Sequence, residues 1–472
     1  MMRAYSITTF LLLLLFSQGF AQELTVHCDK EQGIFRLLHG LNGGVLCQGE
    51  TVDLTGHWKA AGIPSTRLHD CEWPAPNVVD IHSLFPDFRN ASDDPESYRF
   101  GPTDDYLAAI VNSGSGIVFR LGESIEHSRR KHYVNPPKDF QKWADICRHV
   151  IRHYNEGWAE GFHYGIKYWE IWNEPENRPQ MWTGTDEEFF ELYLVTSKTL
   201  KEEFPRLKIG GPGIGGAFTE TKDGWKISPY TQKFLHFVKE HHAPLDFFSW
   251  HTYTDKPAEY VEKAFCARKY LDELGFTKTE MHLNEWNYLP DHQWGPMLDT
   301  DDAKGRENWY ERIGGAEGAA FIACVLIELQ AAPVDVCNYF TNCGGFGVFT
   351  QHGVPKKTYY AMKAFHELLK TPVRLLAEGG VKNTCSVAAG TNEDRSEITV
   401  LVGNLQNNES KMTIILNAFP WEGRADFELD TIDETHEFVK TGSGSVTIVN
   451  QTVRFELEKP GNSVVLLRFR KP

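Results

Sequence analysis

The sequence lacks an excess of positive charge. Its 48 lysine and arginine residues are outnumbered by 64 aspartate and glutamate residues, which gives a formal net charge of −16. Nucleic acids and anionic membrane surfaces attract basic proteins, so this balance argues against both as partners. It does not exclude a locally basic pocket for an acidic small ligand.

The sequence also lacks the patterns of two common ligand sites. None of its nine cysteines forms a Cys-x-x-Cys pair, so a structural zinc site is not expected. The segment GGPGIGG at 210–216 is rich in glycine, but the lysine of a phosphate-binding loop does not follow it. A backbone turn accounts for these glycines equally well.

Long apolar runs are absent except near the N-terminus. Residues 1–3 carry a positive charge, residues 10–16 are apolar, and Gly19 and Ala21 place small residues at the −3 and −1 positions of a cleavage site. A membrane anchor would need about 20 apolar residues, more than this run provides. We therefore expect residues 1–21 to be a signal peptide and the protein to be secreted or periplasmic.

Nine cysteines in an exported chain raise the question of disulfides, and the odd number leaves at least one thiol free in a monomer. Cys147, Cys266 and Cys324 lie in apolar helical patterns, where cysteine acts as a small hydrophobic residue. Cys337 and Cys343 are near enough in the sequence to pair, although their spacing alone does not favour that pairing.

Short apolar segments alternate with amphipathic helical patterns from residue 34 to residue 370. The predicted strands cover residues 34–41, 65–69, 117–121, 167–172, 208–211, 246–250, 280–283 and 334–339. Eight strands, each followed by a helix, predict an α/β fold of the (β/α)₈ TIM-barrel type. A doubly wound open sheet is the competing arrangement, and it usually carries a glycine-rich phosphate turn.

The pattern changes after residue 370. Segments of residues 371–472 alternate between apolar and polar positions with a period of two and are separated by Gly, Asn and Asp. This predicts a C-terminal antiparallel β-sandwich attached to a catalytic barrel at 34–370, with residues 22–33 joining the sandwich as an additional strand. Two long polar loops, 70–106 and 286–312, follow the second and seventh barrel strands. Such loops are usually functional or disordered.

Two glutamates lie at the ends of barrel strands. Glu174 follows Asn173 at the end of the fourth strand, and Glu285 follows the apolar part of the seventh. The chemistry of a TIM barrel lies at the C-terminal ends of its strands. Hydrolysis of a glycosidic bond needs two carboxyl groups, one that donates a proton and one that stabilises or attacks the anomeric carbon. The pair therefore predicts a glycosidase, whereas either glutamate alone would suggest only a solvated side chain.

Three motifs together resemble glycoside hydrolase family 39 of clan A, which includes β-xylosidases and α-L-iduronidases built as a barrel with a β-sandwich. They are YWEIWNEPE at 168–176, FFSWHTY at 247–253 and LNEWN at 283–287. The resemblance implies that Glu174 is the general acid/base and Glu285 the nucleophile of a retaining mechanism. It also implies that Asn173 binds the sugar 2-hydroxyl.

The resemblance assigns supporting roles on the second and sixth strands. Tyr253 is expected beside the nucleophile, holding it ionised and oriented, and Arg67 matches the clan's strand-two arginine, which would lower the pKa of Glu285. Burial and the charge of Glu285 would in turn raise the pKa of Glu174 toward neutrality.

Four further side chains are candidates for the sugar subsite. His69 lies two residues after Arg67, on the same face of the strand, and His251 belongs to the strand-six motif. Both compete with an interpretation as buried, hydrogen-bonded histidines. Asp70 and Trp73 lie just beyond the second strand, where they either contact the sugar or shape the loop.

The substrate is less clearly indicated than the reaction. Iduronidase relatives carry a basic residue shortly after the strand-six histidine, where this chain has Tyr253, so Arg120 or Arg306 would have to neutralise a substrate carboxylate. Many clan members also have a tryptophan at the top of strand eight, where this chain has Tyr339 and Phe340. We therefore expect an exo-acting enzyme on a β-linked neutral sugar, xylose- or arabinose-like, in an oligo- or polysaccharide.

Alternatives remain within and outside this class. An α-L-iduronidase-like or an endo-acting clan A glycanase would use the same two carboxylates. A non-catalytic glycan-binding barrel usually lacks one of them, and an oligomeric structural protein would carry the pair by accident. No metal or organic cofactor is expected, because two carboxyl groups suffice for the chemistry.

Overall fold

The structure is a computed structural model that describes residues 22–47, 52–73, 76–407, 411–458 and 461–472. The expected signal peptide at 1–21 lies outside the described residues. Strands and helices alternate along most of the chain, and strands alone follow the last helix. The strands are β1 Gln22–Ile34, β2 Gly40–Asn42, β3 Ser65–Leu68, β4 Gly116–Leu121, β5 Tyr168–Ile171, β6 Lys208–Ile214, β7 Phe218–Thr221, β8 Gly224–Ile227, β9 Phe247–Thr254, β10 Glu280–Tyr288, β11 Val336–Tyr339, β12 Val373–Glu378, β13 Cys385–Thr391, β14 Glu397–Asn404, β15 Lys411–Asn417, β16 Arg424–Ile432, β17 Glu437–Thr447, β18 Val453–Glu458 and β19 Ser463–Arg470.

Most of the helices lie in the connections between strands β2 to β11. They are α1 Thr55–Ala61, α2 Ile81–Leu84, α3 Gly101–Asn112, α4 Phe140–Glu156, α5 Asp186–Glu203, α6 Pro229–Glu240, α7 Pro257–Leu274, α8 Gly295–Leu298, α9 Ala303–Gly314, α10 Ala316–Glu328 and α11 Lys357–Leu368. The two long loops predicted from the sequence contain helices: α2 and the start of α3 in the first, and α8 and most of α9 in the second.

Eight parallel strands close into a barrel in the order β2, β3, β4, β5, β6, β9, β10 and β11. The (β/α)₈ barrel predicted from the sequence is confirmed, and each predicted strand overlaps one barrel strand. The largest shift is at the first strand, which begins at Gly40 because Ile34 is still the end of β1. The open doubly wound sheet is excluded by this closure.

Local sequence signals fix where several barrel helices begin. Thr185 caps α5 through a reciprocal capping box with Glu188, and the Asp139 side chain accepts the backbone N–H of Lys142 at the start of α4. Such caps satisfy helix N–H groups that have no partner within the helix. These caps set the first residues of α4 and α5 on the outside of the barrel.

The C-terminal strands form a second sheet, in the order β17, β16, β19, β14, β13, β12, β1, β15 and β18. The sheet curls, so that Phe455 of β18 contacts Phe427 of β16 and Phe469 of β19 with ring centroids 4.9 and 6.0 Å apart. This face-to-face contact makes it a sandwich. The strand pairs within residues 371–472 are antiparallel, as expected, and only the added strand β1 runs parallel to a neighbour, β15.

Helix α10 lies between the barrel and this second sheet. Apart from Glu317, all its residues from Ala316 to Ile327 are buried, which fits a helix enclosed on nearly all sides. Within the described part of the chain, no single helix is long and apolar enough to span a bilayer, although the bent pair formed by 303–314 and 316–331 is, judged by length and composition alone.

One disulfide joins Cys47 to Cys343 and links the loop after β2 to the loop after β11. Cys343 therefore does not pair with Cys337, which is a buried free thiol. The sequence could not indicate the partner of Cys343, because it is closure of the barrel that brings the first and last strands together. Among the cysteines assigned to apolar helical positions, Cys147 and Cys324 are buried.

Candidate active site

The backbone at the end of β5 turns sharply at the Asn-Glu-Pro motif. Trp172 and Glu174 have φ angles of 71° and 42°, in the left-handed region that residues other than glycine rarely adopt. Two hydrogen bonds hold this conformation, from the Trp172 N–H to the Leu121 oxygen (2.7 Å) and from the Glu174 N–H to the Gly213 oxygen (3.0 Å). Strain of this kind persists only where neighbouring structure fixes it, and here it aims Glu174 at the barrel mouth.

The glycines at 210–216 provide space for these side chains. A Cβ atom on Gly215 would lie 2.5 Å from Oε1 of Glu174, and one on Gly213 would lie 3.1 Å from Nη2 of Arg67 and from Nε2 of His251. Gly213 also has a φ of 63°. The segment is therefore the wall against which the polar side chains pack, and this close approach requires glycine.

A register shift in β10 turns two consecutive side chains inward. Leu283 and Glu285 lie opposite Trp250 and His251, which are neighbours in β9, so Asn284 is an extra residue in the pairing. Such a bulge changes the direction of the strand and of its side chains. As a result, both Asn284 and Glu285 reach partners inside the barrel.

Arg67 connects the two strand ends from inside the barrel. Its guanidinium donates to Glu170 (2.7 Å), Asn42 (3.1 Å), Glu285 (3.1 Å) and Asn173 (2.6 Å), and its side chain is fully buried. An arginine fork that binds two carboxylates fixes both in place and compensates their charge. Arg67 therefore holds Asn173 and Glu285 in one relative position.

The two glutamates face each other across the cavity. One oxygen of Glu174, one oxygen of Glu285 and one ring nitrogen of His251 all lie within 4.8 Å of one another. Nδ1 of His251 is 2.7 Å from Glu174 Oε1, and its Nε2 is 3.7 Å from Glu285 Oε2. On the other side of Glu285, the Tyr253 hydroxyl donates a hydrogen bond to Oε1.

The electrostatics of Glu174 differ from the sequence expectation. Burial acts to raise its pKa, but the hydrogen bond and charge of His251, the amide of Asn177 (3.0 Å) and the charge of Arg67 outweigh burial, so the pKa lies below its usual range. The expected rise toward neutrality is therefore wrong for the unliganded site. The physical reason is His251, whose own pKa is raised, against the effect of burial, by Glu285 and Glu174.

Two other groups at the site hold protons more tightly than usual. Burial and the charge of Glu285 raise the pKa of Tyr253 well above its ordinary value, so the phenol remains a neutral donor to that carboxylate. Burial likewise raises the pKa of Asp70 to about 7, although the Ile125 N–H donates to its carboxyl group (3.0 Å).

A cavity of about 220 Å³ contains most of the predicted residues. It is lined by His69, Asp70, Ile125, His127, Asn173, Glu174, Met181, Tyr253, Glu285, Trp294, Met297, Phe340 and Phe346. Arg67 and His251 do not line the cavity, but they form hydrogen bonds with residues that do. Trp73 is not among the lining residues and instead packs against the barrel core, so its expected contact with the sugar has no support in this geometry.

Sequence reasoning missed part of the lining and the support beneath it. Trp294 and Met297 come from the loop at 286–312, whose length suggested a function but whose sequence offered no signal for individual residues. Glu170 lies inside β5 and not at its end, and it accepts hydrogen bonds from Arg67, Ser249 and Asn284. The only signal for this role in the sequence is that Glu170 lies three residues before Asn173, in the same motif.

A second compact cluster has the composition of a cation site. Asp80, His82 and Glu123 each place one donor atom within 4.8 Å of the others. Arg120 already lies 2.5 Å from Asp80, and His82 hydrogen-bonds Glu123. Because the guanidinium neutralises the acidic charge there, we assign no metal to this cluster.

Two curated β-xylosidases resemble parts of this chain. A β-xylosidase of Geobacillus stearothermophilus is 31% identical over 278 residues, 50% of this chain and 48% of that protein. A β-xylosidase of Caldicellulosiruptor saccharolyticus is 26% identical over 295 residues, 56% of this chain and 52% of that protein. The chain thus spans about half the length of the curated relatives it matches.

Solved structures show the same fold over nearly the whole chain. A glucosidase from Croceicoccus marinus superposes with a TM-score of 0.79 at 23% identity, covering 96% of this chain and 99% of that one. A β-xylosidase from Caulobacter crescentus CB15 gives 0.68 at 16% identity, covering 95% and 99%. The sequence model described as glycosyl hydrolases family 39 matches residues 77–412. The family expected from the three motifs is confirmed: the chain belongs to glycosyl hydrolases family 39.

Proposed function

We propose that the protein is a retaining glycoside hydrolase with Glu174 as acid/base and Glu285 as nucleophile. The observation that carries this proposal is the approach of the two carboxylates to within 4.8 Å. Retaining enzymes hold their carboxyl groups about 5–5.5 Å apart, whereas inverting enzymes need about 6.5–9.5 Å to admit a water molecule. An approach this close lies on the retaining side of that difference and favours a retaining mechanism.

In the first step, Glu285 attacks the anomeric carbon and the leaving oxygen takes a proton. Arg67 and Tyr253 donate to Glu285, which holds its carboxylate in position for the attack. The hydrogen-bonded pair of Glu174 and His251 supplies the proton, because Glu285 and Glu174 raise the pKa of His251 and so favour a proton on the pair. Asn173, fixed by Arg67 at 2.6 Å, is placed to bind the sugar 2-hydroxyl.

In the second step, the same pair works in reverse. Once the glycosyl-enzyme ester forms, Glu285 carries no charge and the departed aglycone has removed the proton. Glu174 is then a carboxylate that takes a proton from water, and the resulting hydroxide attacks the anomeric carbon and releases Glu285. The configuration of the anomeric carbon is inverted twice and so retained.

The proposed substrate is a terminal β-linked neutral sugar, xylose- or arabinose-like, in an oligo- or polysaccharide. The cavity of about 220 Å³ is smaller than the roughly 300–1,000 Å³ typical of drug-sized ligands, which favours a single ring and exo action. Among the described residues no lysine or arginine lines the cavity, and neither Arg120 nor Arg306 reaches it. A substrate carboxylate would therefore lack a counter-charge, which disfavours an iduronide.

The test is a panel of aryl β-xyloside, β-glucoside, β-galactoside, α-arabinoside and iduronide. We expect cleavage of a neutral pentoside, retention of configuration by NMR at early times, and loss of activity in Glu174→Gln and Glu285→Ala. Inverted product would refute the mechanism, and long oligosaccharide products from a polymer would favour endo action. Glycan binding without cleavage on the whole panel would favour a non-catalytic binding barrel.

We further propose that the protein is exported. This rests on the sequence pattern of residues 1–21 alone. N-terminal sequencing of the protein recovered outside the cytoplasm should begin at Gln22, and a product that retains Met1 would refute the proposal.

A further inference from the structure

Glu176, two residues after Glu174, has a carboxyl group with an unusual environment. Its Oε1 accepts the Gly216 N–H at 2.7 Å. Its Oε2 is shielded from solvent and has no hydrogen-bond partner among the described residues. A buried carboxylate oxygen without a donor is costly when ionised, so this group binds a proton more readily than an ordinary glutamate.

Glu176 lies close to the proposed acid/base. A Cβ atom on Gly215 would be 2.5 Å from Oε1 of Glu174 and 3.4 Å from Oε1 of Glu176. The two oxygens are therefore less than about 6 Å apart, within the range in which like charges alter each other's proton affinity. Both carboxyl groups pack against the glycine segment at 210–216.

The charged and titratable groups around Glu176 come from three elements. Glu174 and Arg178 belong to its own loop, His251 reaches it from β9, and Tyr230 faces it from α6 with a buried hydroxyl that also lacks a partner in the described structure. Burial and the charge of Glu174 raise the pKa of Glu176 to about 7, against the effect of the Gly216 N–H and of His251.

We propose that Glu176 acts through Glu174: its carboxyl group keeps the catalytic proton on the Glu174–His251 pair at and above neutral pH. This rests on the proposed function of Glu174. As the pH rises, Glu176 ionises and its negative charge opposes loss of the proton from the pair. After the aglycone has left with that proton, the same charge makes Glu174 a stronger base toward water. Protons shared in this way belong to the group and not to one residue.

The experiment compares pH profiles of kcat/KM for the wild type and Glu176→Gln. The amide oxygen of glutamine can still accept the Gly216 N–H, so a purely structural role would be preserved. We expect the basic limb to move to lower pH, by about 0.5 pH units if the charges interact as in water and by about 2 if they interact with an effective dielectric constant of 20. The acidic limb should remain in place.

Two further variants make the comparison specific. Glu187→Gln removes an equal charge from an exposed position at the start of α5 and should leave the profile unchanged. Glu176→Asp keeps the charge and should keep the basic limb nearer to the wild-type position, which also provides a result if Glu176→Gln folds poorly. A basic limb that is the same in wild type, Glu176→Gln and Glu176→Asp would overturn the proposal.

Two substrates with different leaving groups distinguish a failure of the Glu176 role from a failure of the proposed glycosidase function. A dinitrophenyl glycoside needs no protonation, so its profile should be the same in wild type and Glu176→Gln, whereas a disaccharide should show the shift. If the wild type cleaves no glycoside at all, both the proposed function and the proposed role of Glu176 are refuted. If the wild type is active and the disaccharide profile does not shift, only the role of Glu176 is refuted.

Discussion

Replacing Arg67 by methionine should destabilise the barrel. The guanidinium and the Glu170 carboxylate are both fully buried, with a separation of 2.7 Å, and the same guanidinium is 3.1 Å from Glu285. Methionine has a similar length but no charge and no donors. The substitution therefore leaves two carboxylates inside the protein without their common counter-charge.

The magnitude follows from what remains around those carboxylates. Removing one partner of a buried ion pair typically costs about 3–5 kcal/mol of the free energy of unfolding. Glu170 would retain donors from Ser249 and Asn284, and Glu285 would retain the Tyr253 hydroxyl. These bonds limit the penalty, so we expect a loss of about 3 kcal/mol, at the lower end of that range.

A second substitution tests whether unpaired charge is the cause. Glutamine at position 170 has no charge, and its oxygen still accepts from Ser249 and Asn284. The double variant Arg67→Met/Glu170→Gln should therefore recover about 1–2 kcal/mol relative to Arg67→Met alone, which is the non-additivity expected of residues in contact. Additive losses would instead indicate that the two side chains contribute independently.

Urea unfolding followed by tryptophan fluorescence and by far-ultraviolet circular dichroism measures these differences. Arg89→Met is the control, because Arg89 pairs with Asp87 on the surface and is 90% exposed; its unfolding midpoint should equal that of the wild type. If Arg67→Met is within about 1 kcal/mol of the wild type, the value for a surface ion pair, the buried network is not what holds the strand ends together.

Three further changes have defined outcomes. Tyr253→Phe removes a donor to the Glu285 carboxylate, worth about 1.5–3 kcal/mol, so kcat/KM on an aryl glycoside should fall about 10- to 150-fold; a loss below threefold would contradict that role. A Cys47→Ser/Cys343→Ser variant should lose about 2–4 kcal/mol of stability and no longer respond to reductant; equal sensitivity to reductant would argue against this bridge. Burial raises the pKa of Asp70 from 3.8 to about 7. The protonated Asp70 side chain therefore contributes its full stability below pH 4, and this contribution is lost as the pH rises through 7. The wild type should lose stability relative to Asp70→Asn between pH 5 and 8.5; a stability difference independent of pH would refute this prediction.

Much of the site could be located from the sequence because strand ends are marked locally. Apolar runs of four to nine residues end at Asn173 and near Glu285, and the barrel rule then places both on one rim. The roles of Arg67 and Tyr253 came instead from the resemblance to the family, because the strand pattern alone does not mark them. The prediction for Trp73 lacked such support, because it lies in a loop whose path depends on contacts and not on a repeating pattern.

Three features were decided only by the closed barrel. The approach of Glu174 to Glu285 joins positions more than one hundred residues apart, and the pairing of Cys47 with Cys343 joins the first barrel strand to the last. The proton affinity of Glu174 depends on His251, which the sequence could place on β9 but not at 2.7 Å from that carboxylate. Periodicity and turn residues record local preferences, so the sequence determined which strands form and which side chains stand at their ends. Distances, burial and charge between strands arise when the sheet closes, and they set the chemistry of the site.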